Sequence, residues 1–180
     1  MARLEPLTSV IVIVIVEGAS DREAVVAFAK LRGRDLAAEG ISVVAIGGAH
    51  AAGRFVAQVR GQHPRARLVG LVDAGEEPSF ARAGLASVVC DPDLEAELIA
   101  ALGAQRVERV IEAQGELAAW RSFQKQPYHR DRPVEAQLRR FLGTLAGRKI
   151  AYGRLLVEAL DAGAGPPPLE LLLSRLPSSA

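Results

Sequence analysis

The sequence predicts an α/β protein: a four-stranded parallel sheet flanked by helices, followed by a helical C-terminal extension. Three observations predict this. The run Val10-Ile11-Val12-Ile13-Val14-Ile15-Val16 has no polar break, as in a strand buried on both faces. Three shorter apolar runs follow, separated by helix-like stretches. Strands alternating with helices imply a parallel sheet with right-handed crossovers. From Ala104 onward no strand pattern appears. The chain is therefore divided into an α/β part, residues 1–103, and a helical extension packed on it, residues 104–180.

The first strand is expected over residues 11–16. Ser20 and Glu23 have capping-box spacing, so a helix should start at Asp21 and run to about Leu31. Its apolar side is Ala24, Val25, Phe28 and Leu31. The second strand, 41–46, is broken by Gly47-Gly48, and a helix follows over 51–59. His63-Pro64 is a loop. The third strand, 67–72, ends at Asp73; a short helix, 78–83, leads to the fourth strand, 86–90. Asp91-Pro92 then starts a helix, with proline at its first position, ending near Gly103. The extension should hold helices at 105–113, 116–123, 133–142, 150–160 and, weakly, 169–176, with Pro166-Pro167-Pro168 as a stiff break.

The chain of 180 residues can bury a sound core without staples. Its one cysteine, Cys90, excludes an internal disulfide and reads as a small buried apolar residue. No apolar run approaches the roughly 20 residues that span a bilayer. The start, Met1-Ala2-Arg3-Leu4-Glu5, lacks the form of a signal peptide. A cytoplasmic protein without a membrane partner is expected. The net charge of +1 conceals an asymmetry. Residues 71–100 carry Asp73, Glu76, Glu77, Asp91, Asp93, Glu95 and Glu97 against Arg82 alone. Residues 116–154 carry Arg121, Lys125, Arg130, Arg132, Arg139, Arg140, Arg148, Lys149 and Arg154 against Glu116, Asp131 and Glu135. An acidic block can hold metal and a basic block phosphate. Two solvated helix faces explain the charges equally well.

Parallel strands bring their carboxyl ends to one edge, where open α/β sheets bind ligands. Strand one delivers Glu17 and then Asp21; strand three delivers Asp73; strand four delivers Asp91, Asp93, Glu95 and Glu97. Carboxylates crowded together repel, and a hard divalent cation such as Mg²⁺ would relieve them. Each acid alone is better explained as a helix cap than as a ligand, and Asp21, Asp91 and Asp93 sit where caps belong. Glu17 and Asp73 fit that explanation least. Gly47-Gly48, followed by Arg54, could offer a phosphate-binding turn or be a plain tight turn. His50, His63 and His129 show no zinc spacing. Trp120, Phe123 and Tyr128 lie among basic residues, where they either stack bases or pack the extension on the sheet, packing being favoured.

Glu17-Gly18 after one strand, Gly47-Gly48 after a second and Asp73 after a third resemble the Toprim domain, a Rossmann-like metal-binding module of topoisomerases, primases and nucleases. The resemblance is nearer to the branch of the overcoming-lysogenization-defect (OLD) nucleases. That branch has an acid four residues after the first Glu, as Asp21 follows Glu17, and an acidic cluster after the fourth strand, as in Asp93-Leu94-Glu95-Ala96-Glu97. Glu17-Gly18-Ala19-Ser20-Asp21-Arg22 and Asp73-Ala74-Gly75-Glu76-Glu77 also resemble stand-alone Toprim nucleotidyl transferase/hydrolase domain proteins.

The resemblance implies a Mg²⁺- or Mn²⁺-dependent nucleic-acid phosphodiesterase, an endonuclease with DNA as the favoured substrate. Glu17, Asp21 and Asp73 would hold one ion; Glu95 or Glu97, with Asp93, would hold or orient a second. Glu17 would be catalytic, and the family's late lysine maps first to Lys149 and second to Lys125. The sequence departs from the pattern at Asp73-Ala74-Gly75, where the usual Asp-x-Asp lacks its second acid. A catalytically degenerate module that binds nucleic acid or an ATPase partner is therefore the alternative. The sequence has no Gly-x-x-x-x-Gly-Lys-Ser/Thr motif, so any ATPase would be made elsewhere. A receiver-like arrangement would also place acids after strands one and three, but it needs a lysine after a later strand, and none closely follows Cys90.

Overall fold

The computed structural model describes residues 11–177; Val10 and the Met1 start lie outside the described residues. β1 (Val12–Val16) is central, and the sheet order is β2-β1-β3-β4, all parallel, with β2 at Ile41–Ala45, β3 at Arg67–Asp73 and β4 at Ser87–Cys90. All of β1 is buried. Its side chains alternate between faces, as the two-residue period of a strand requires. Val12, Val14 and Val16 join one core, and Ile13 and Ile15 join another. The second core is closed by α2 (Ala52–Gln62) and α3 (Glu77–Arg82), through Val56, Val59 and Phe80.

The first core lies under α1 (Ala19–Leu31), α4 (Leu94–Leu102) and the later helices: α5 (Ala104–Ala113), α6 (Leu117–Gln124), α7 (Val134–Leu142), α8 (Ala146–Glu158) and α9 (Pro167–Ser174). The helices after Gly103 thus share one apolar core with the sheet. In α8, Leu156 and Val157 are fully buried, each worth about 1.5–3 kcal/mol of apolar burial. Gly153 lets α8 approach α1 closely: a Cβ there would lie 2.4 Å from the Ser20 carbonyl oxygen. Among the described residues no helix is long and apolar enough to cross a membrane.

Several expected boundaries move. α1 begins at Ala19, not Asp21, and Ser20 is not its cap. Gly18 holds the extended cap conformation, and its amide donates to Asp21 Oδ2 at 2.9 Å. A glycine directly after the strand lets the helix start earlier, and Asp21 reaches back from the third helical position. Pro92 does not open α4. The Asp91-Pro92 peptide is cis, and Asp93 caps the helix by accepting from the Ala96 amide at 2.9 Å. α8 starts four residues before the expected 150, which puts Lys149 in its first turn. Pro166 to Pro168 do not break the end of the chain; they start α9, where missing amides cost nothing.

Candidate active site

β1 and β3 run side by side, with Val16 opposite Leu71, so Glu17 and Asp73 emerge at the same edge. Glu17 Oε1 accepts from the Asp73 amide at 3.1 Å. Asp73 Oδ1 in turn accepts from the Leu94 amide, at a long 3.4 Å, at the start of α4. Asp21 joins them from the first turn of α1. The Gly47 and Gly48 amides both donate to the Glu17 carbonyl at 3.0 Å, and both glycines have positive φ, which excludes most other residues. Glu17, Asp21, Gly47, Gly48, Asp73 and Lys149 line one cleft of about 320 Å³.

These acids raise one another's pKa. Burial pushes the Glu17 carboxyl above its usual range, more than the Asp73 amide pulls it back, and Glu76 and Glu95 add repulsion. Burial, with repulsion from Glu95 and Glu17, raises Asp21 to about 6. Burial together with Asp21 and Glu17 raises Asp73 to about 7. The Lys149 ammonium lies 3.0 Å from Glu95 Oε1. Burial works against its charge, but Glu95, Asp21 and Asp73 outweigh that and hold its pKa above the ordinary value.

The acids of α4 are differently placed. Asp93 caps the helix and pairs with Arg139 of α7. Glu95 is buried and pairs with Lys149. Glu97 accepts from the Asp91 amide at 3.2 Å and lines neither this cleft nor the groove beside it. Lys125 is exposed at the end of α6, and Arg54 is exposed on α2; neither lines the cleft. The Gly47 and Gly48 amides already serve Glu17, so this turn shapes the site and does not present those two amides to a phosphate.

Residues 12–65 match the family model described as the overcoming lysogenization defect protein-like, TOPRIM domain. That stretch is similar to an OLD-like TOPRIM domain. The match contains Glu17, Asp21 and the Gly47-Gly48 turn. Similar solved structures include the C-terminal region of the Burkholderia pseudomallei OLD protein, at 21% identity and TM-score 0.62, covering 92% of this chain and 98% of that one. The C-terminal region of the Xanthomonas campestris pv. campestris OLD protein, phased with platinum, is similar at 20% identity and TM-score 0.62, covering 92% and 91%. Its mercury-phased counterpart gives 19% identity and TM-score 0.63, covering 93% and 95%. The likeness is one of fold, and it includes the helices after the sheet. No curated protein matches the chain.

TOPRIM domains generally bind divalent cations. In the cleft of this chain the donors are hard carboxylate oxygens, which suit Mg²⁺ or Mn²⁺. Glu17, Asp21 and Asp73 each give one oxygen to a main-chain amide, which orients the other. Among the described residues no three candidate ligands converge as a bound ion requires, so the side chains must close in to coordinate one. Gly75 stands in a short turn after β3, and a Cβ there would meet nothing within 4 Å.

Sequence reasoning missed how Lys149 is held. Arg148, its neighbour, pairs with Glu116 at 2.9 Å, and the Tyr152 hydroxyl donates to the same carboxylate at 2.8 Å. The Arg148 guanidinium also lies 4.3 Å over the Phe141 ring. The first turns of α8 are thereby tied to α6 and α7. The basic block around these residues was visible, but the partner of each arginine was not. The aromatic trio also divides: Trp120 and Phe123 are buried, and Tyr128 is exposed.

Proposed function

We propose that this chain is a divalent-metal-dependent nucleic-acid phosphodiesterase, an endonuclease of OLD type acting on DNA. The observation that carries the reading is the grouping of Glu17, Asp21 and Asp73 in one cleft with a single ammonium, Lys149, beside them. A Mg²⁺ or Mn²⁺ ion held by these three carboxylates would supply Lewis acidity toward a phosphoryl oxygen and an activated water. Glu17 and Asp73 set the edge of the cleft through their shared hydrogen bond, and Asp21 closes it from α1. Lys149 offsets negative charge on the phosphate, with Glu95 holding its ammonium in place. Lys125, exposed and outside the cleft, is the weaker candidate for that role. Residues 1–103 carry the carboxylates and residues 104–180 form the extension that delivers the lysine. A separately made ATPase is a candidate partner in a cytoplasmic setting.

Divalent-dependent nicking of plasmid DNA, lost in Glu17→Gln, tests this reading. Failure to cleave either DNA or RNA with Mg²⁺ or Mn²⁺ overturns it. Gly75, where the usual second Asp is missing, supports the second reading, a degenerate module that binds nucleic acid or an ATPase without turnover. Metal-independent, salt-sensitive DNA binding without cleavage distinguishes that case.

A further inference from the structure

A groove of about 610 Å³ adjoins the carboxylate cleft, and Lys149 lines both. α7 and the start of α8 form its walls. Arg132, Arg139, Arg140 and Thr144 line it, together with Asp93 and Glu95 of α4, whose carboxylates are taken up by Arg139 and Lys149. Arg139 is paired with Asp93, whereas Arg132 and Arg140 make no ion pair among the described residues. Like charges facing one groove repel, and an anion lying between them removes that cost.

An open aromatic ring adjoins the groove through Arg132. Tyr128 is 65% exposed, and the Arg132 guanidinium covers its ring at 4.3 Å from the centroid. Arg132 Nε also donates to the Tyr128 carbonyl at 3.1 Å, which fixes the guanidinium in place. Tyr128 meets the His129 ring edge-on at 5.0 Å. His129 is buried and stacks at 3.9 Å on Phe123, itself buried. The exposed ring is therefore seated on a packed aromatic base, with a cation behind it and a broad area open to solvent. A nucleobase stacks well on such a ring, but only an unpaired base can reach it. A duplex would meet the arginines through its phosphates alone.

We propose that this groove is the track of a single, unpaired nucleic-acid strand, with a base stacked on Tyr128 and adjoining phosphates on Arg132 and Arg140, leading to Lys149 at the carboxylate cleft. The proposal rests on the phosphodiesterase reading and names its substrate class. Binding along the track does not require turnover, so the two are separable by experiment.

The test is fluorescence anisotropy of the full chain in EDTA. The probes are a labelled mixed-sequence DNA strand of about 20 nucleotides and the matching duplex, long enough to exceed a typical single-strand site. The single strand binds more tightly. Tyr128→Ala weakens the single strand about tenfold or more and leaves the duplex within about twofold, whereas Tyr128→Phe retains both. Replacing Arg132 and Arg140 by Gln weakens both probes and lowers the salt slope by about one to two units. Equal loss of both probes in Tyr128→Ala, or no loss of the single strand, overturns the track. If that loss is absent while Glu17-dependent nicking persists, the track fails and the phosphodiesterase reading stands. If strand discrimination persists and no divalent ion supports cleavage, the track stands and the phosphodiesterase reading fails.

Discussion

Two sets of carboxylates occupy the same edge of the sheet and meet different surroundings. Glu17, Asp21 and Asp73 arise from β1, α1 and β3, and each accepts one main-chain amide. Among the described residues none of the three has an ion-pair partner. Asp93 and Glu95 arise from α4, and the extension brings each a cation, Arg139 and Lys149. The first set is left to repel itself, which burial aggravates, and it gains most from an added divalent ion. The second set is neutralised and fastens α7 and α8 to the α/β part. Identical side chains at one edge of the sheet are thus separated into uncompensated and paired groups by what packs over them.

The largest expected effect tests that separation directly. Glu17→Gln should reduce plasmid nicking by more than about 100-fold, beyond the 10–100-fold typical of losing a group behind a metal's ligands. Asp93→Asn keeps a capping oxygen and loses only its charge toward Arg139, so nicking should fall less than about tenfold. Equal losses in time courses of the two variants would erase the distinction.

The next effect concerns the fastening. Gly153→Ala puts a methyl group 2.4 Å from the Ser20 carbonyl, so α8 must move off α1. Overpacking of this kind costs about 1–3 kcal/mol. The melting temperature should drop by about 2–4 °C per kcal/mol for a chain of this size. Nicking should fall with it, because Lys149 rides on the same helix. An unchanged melting curve would mean that the helix pair adapts and does not fix the lysine.

A smaller effect belongs to the uncompensated set. Asp21 and Asp73 have folded pKa values of about 6 and about 7, above the ordinary 3.8. The folded protein therefore keeps protons that the unfolded chain has released. Without divalent ions, stability from these groups is full below the unfolded pKa and is lost as pH rises through the folded values. Between about pH 5 and 8 the melting temperature should fall with pH in EDTA, and Asp73→Asn should flatten the slope. An equally steep slope in that variant would place the strain elsewhere.

The smallest effect is Arg139→Gln. Its side chain is 47% exposed, and the pair with Asp93 is screened by solvent. The expected loss is at most about 1 kcal/mol in urea unfolding and shrinks with salt. A larger loss would show that this pair bears more of the attachment of α7 than its exposure suggests.

The sheet was legible because each strand carries its own pattern. β1 has no polar break, and all its residues are buried. Glu17 and Asp73 were legible because an acid after such a strand has one edge to go to. Cap positions were less so: Ser20 fitted the spacing rule, but Gly18 allowed an earlier turn and took the cap with Asp21. Pro92 fitted the first position of a helix, yet Asp93 beside it supplied the capping oxygen. Lys149 and Lys125 looked alike in a basic segment. They differ because α8 packs across α1 at Gly153, whereas Lys125 ends α6 in solvent. Tyr128 could not be told from Trp120 and Phe123, since burial depends on which side chains meet the core, and Tyr128 lies in the turn between α6 and α7.

The sequence by itself determined the alternation of strands and helices, the shared edge of Glu17 and Asp73, and the charge contrast between the two halves. Those follow from local periodicity and from the fixed direction of parallel strands. The tertiary structure decided which acids are neutralised, which lysine reaches the cleft and which aromatic ring stays open. Those depend on contacts between residues far apart in the chain, such as Gly153 with Ser20 and Arg139 with Asp93. Such contacts have no local period to reveal them; packing creates them.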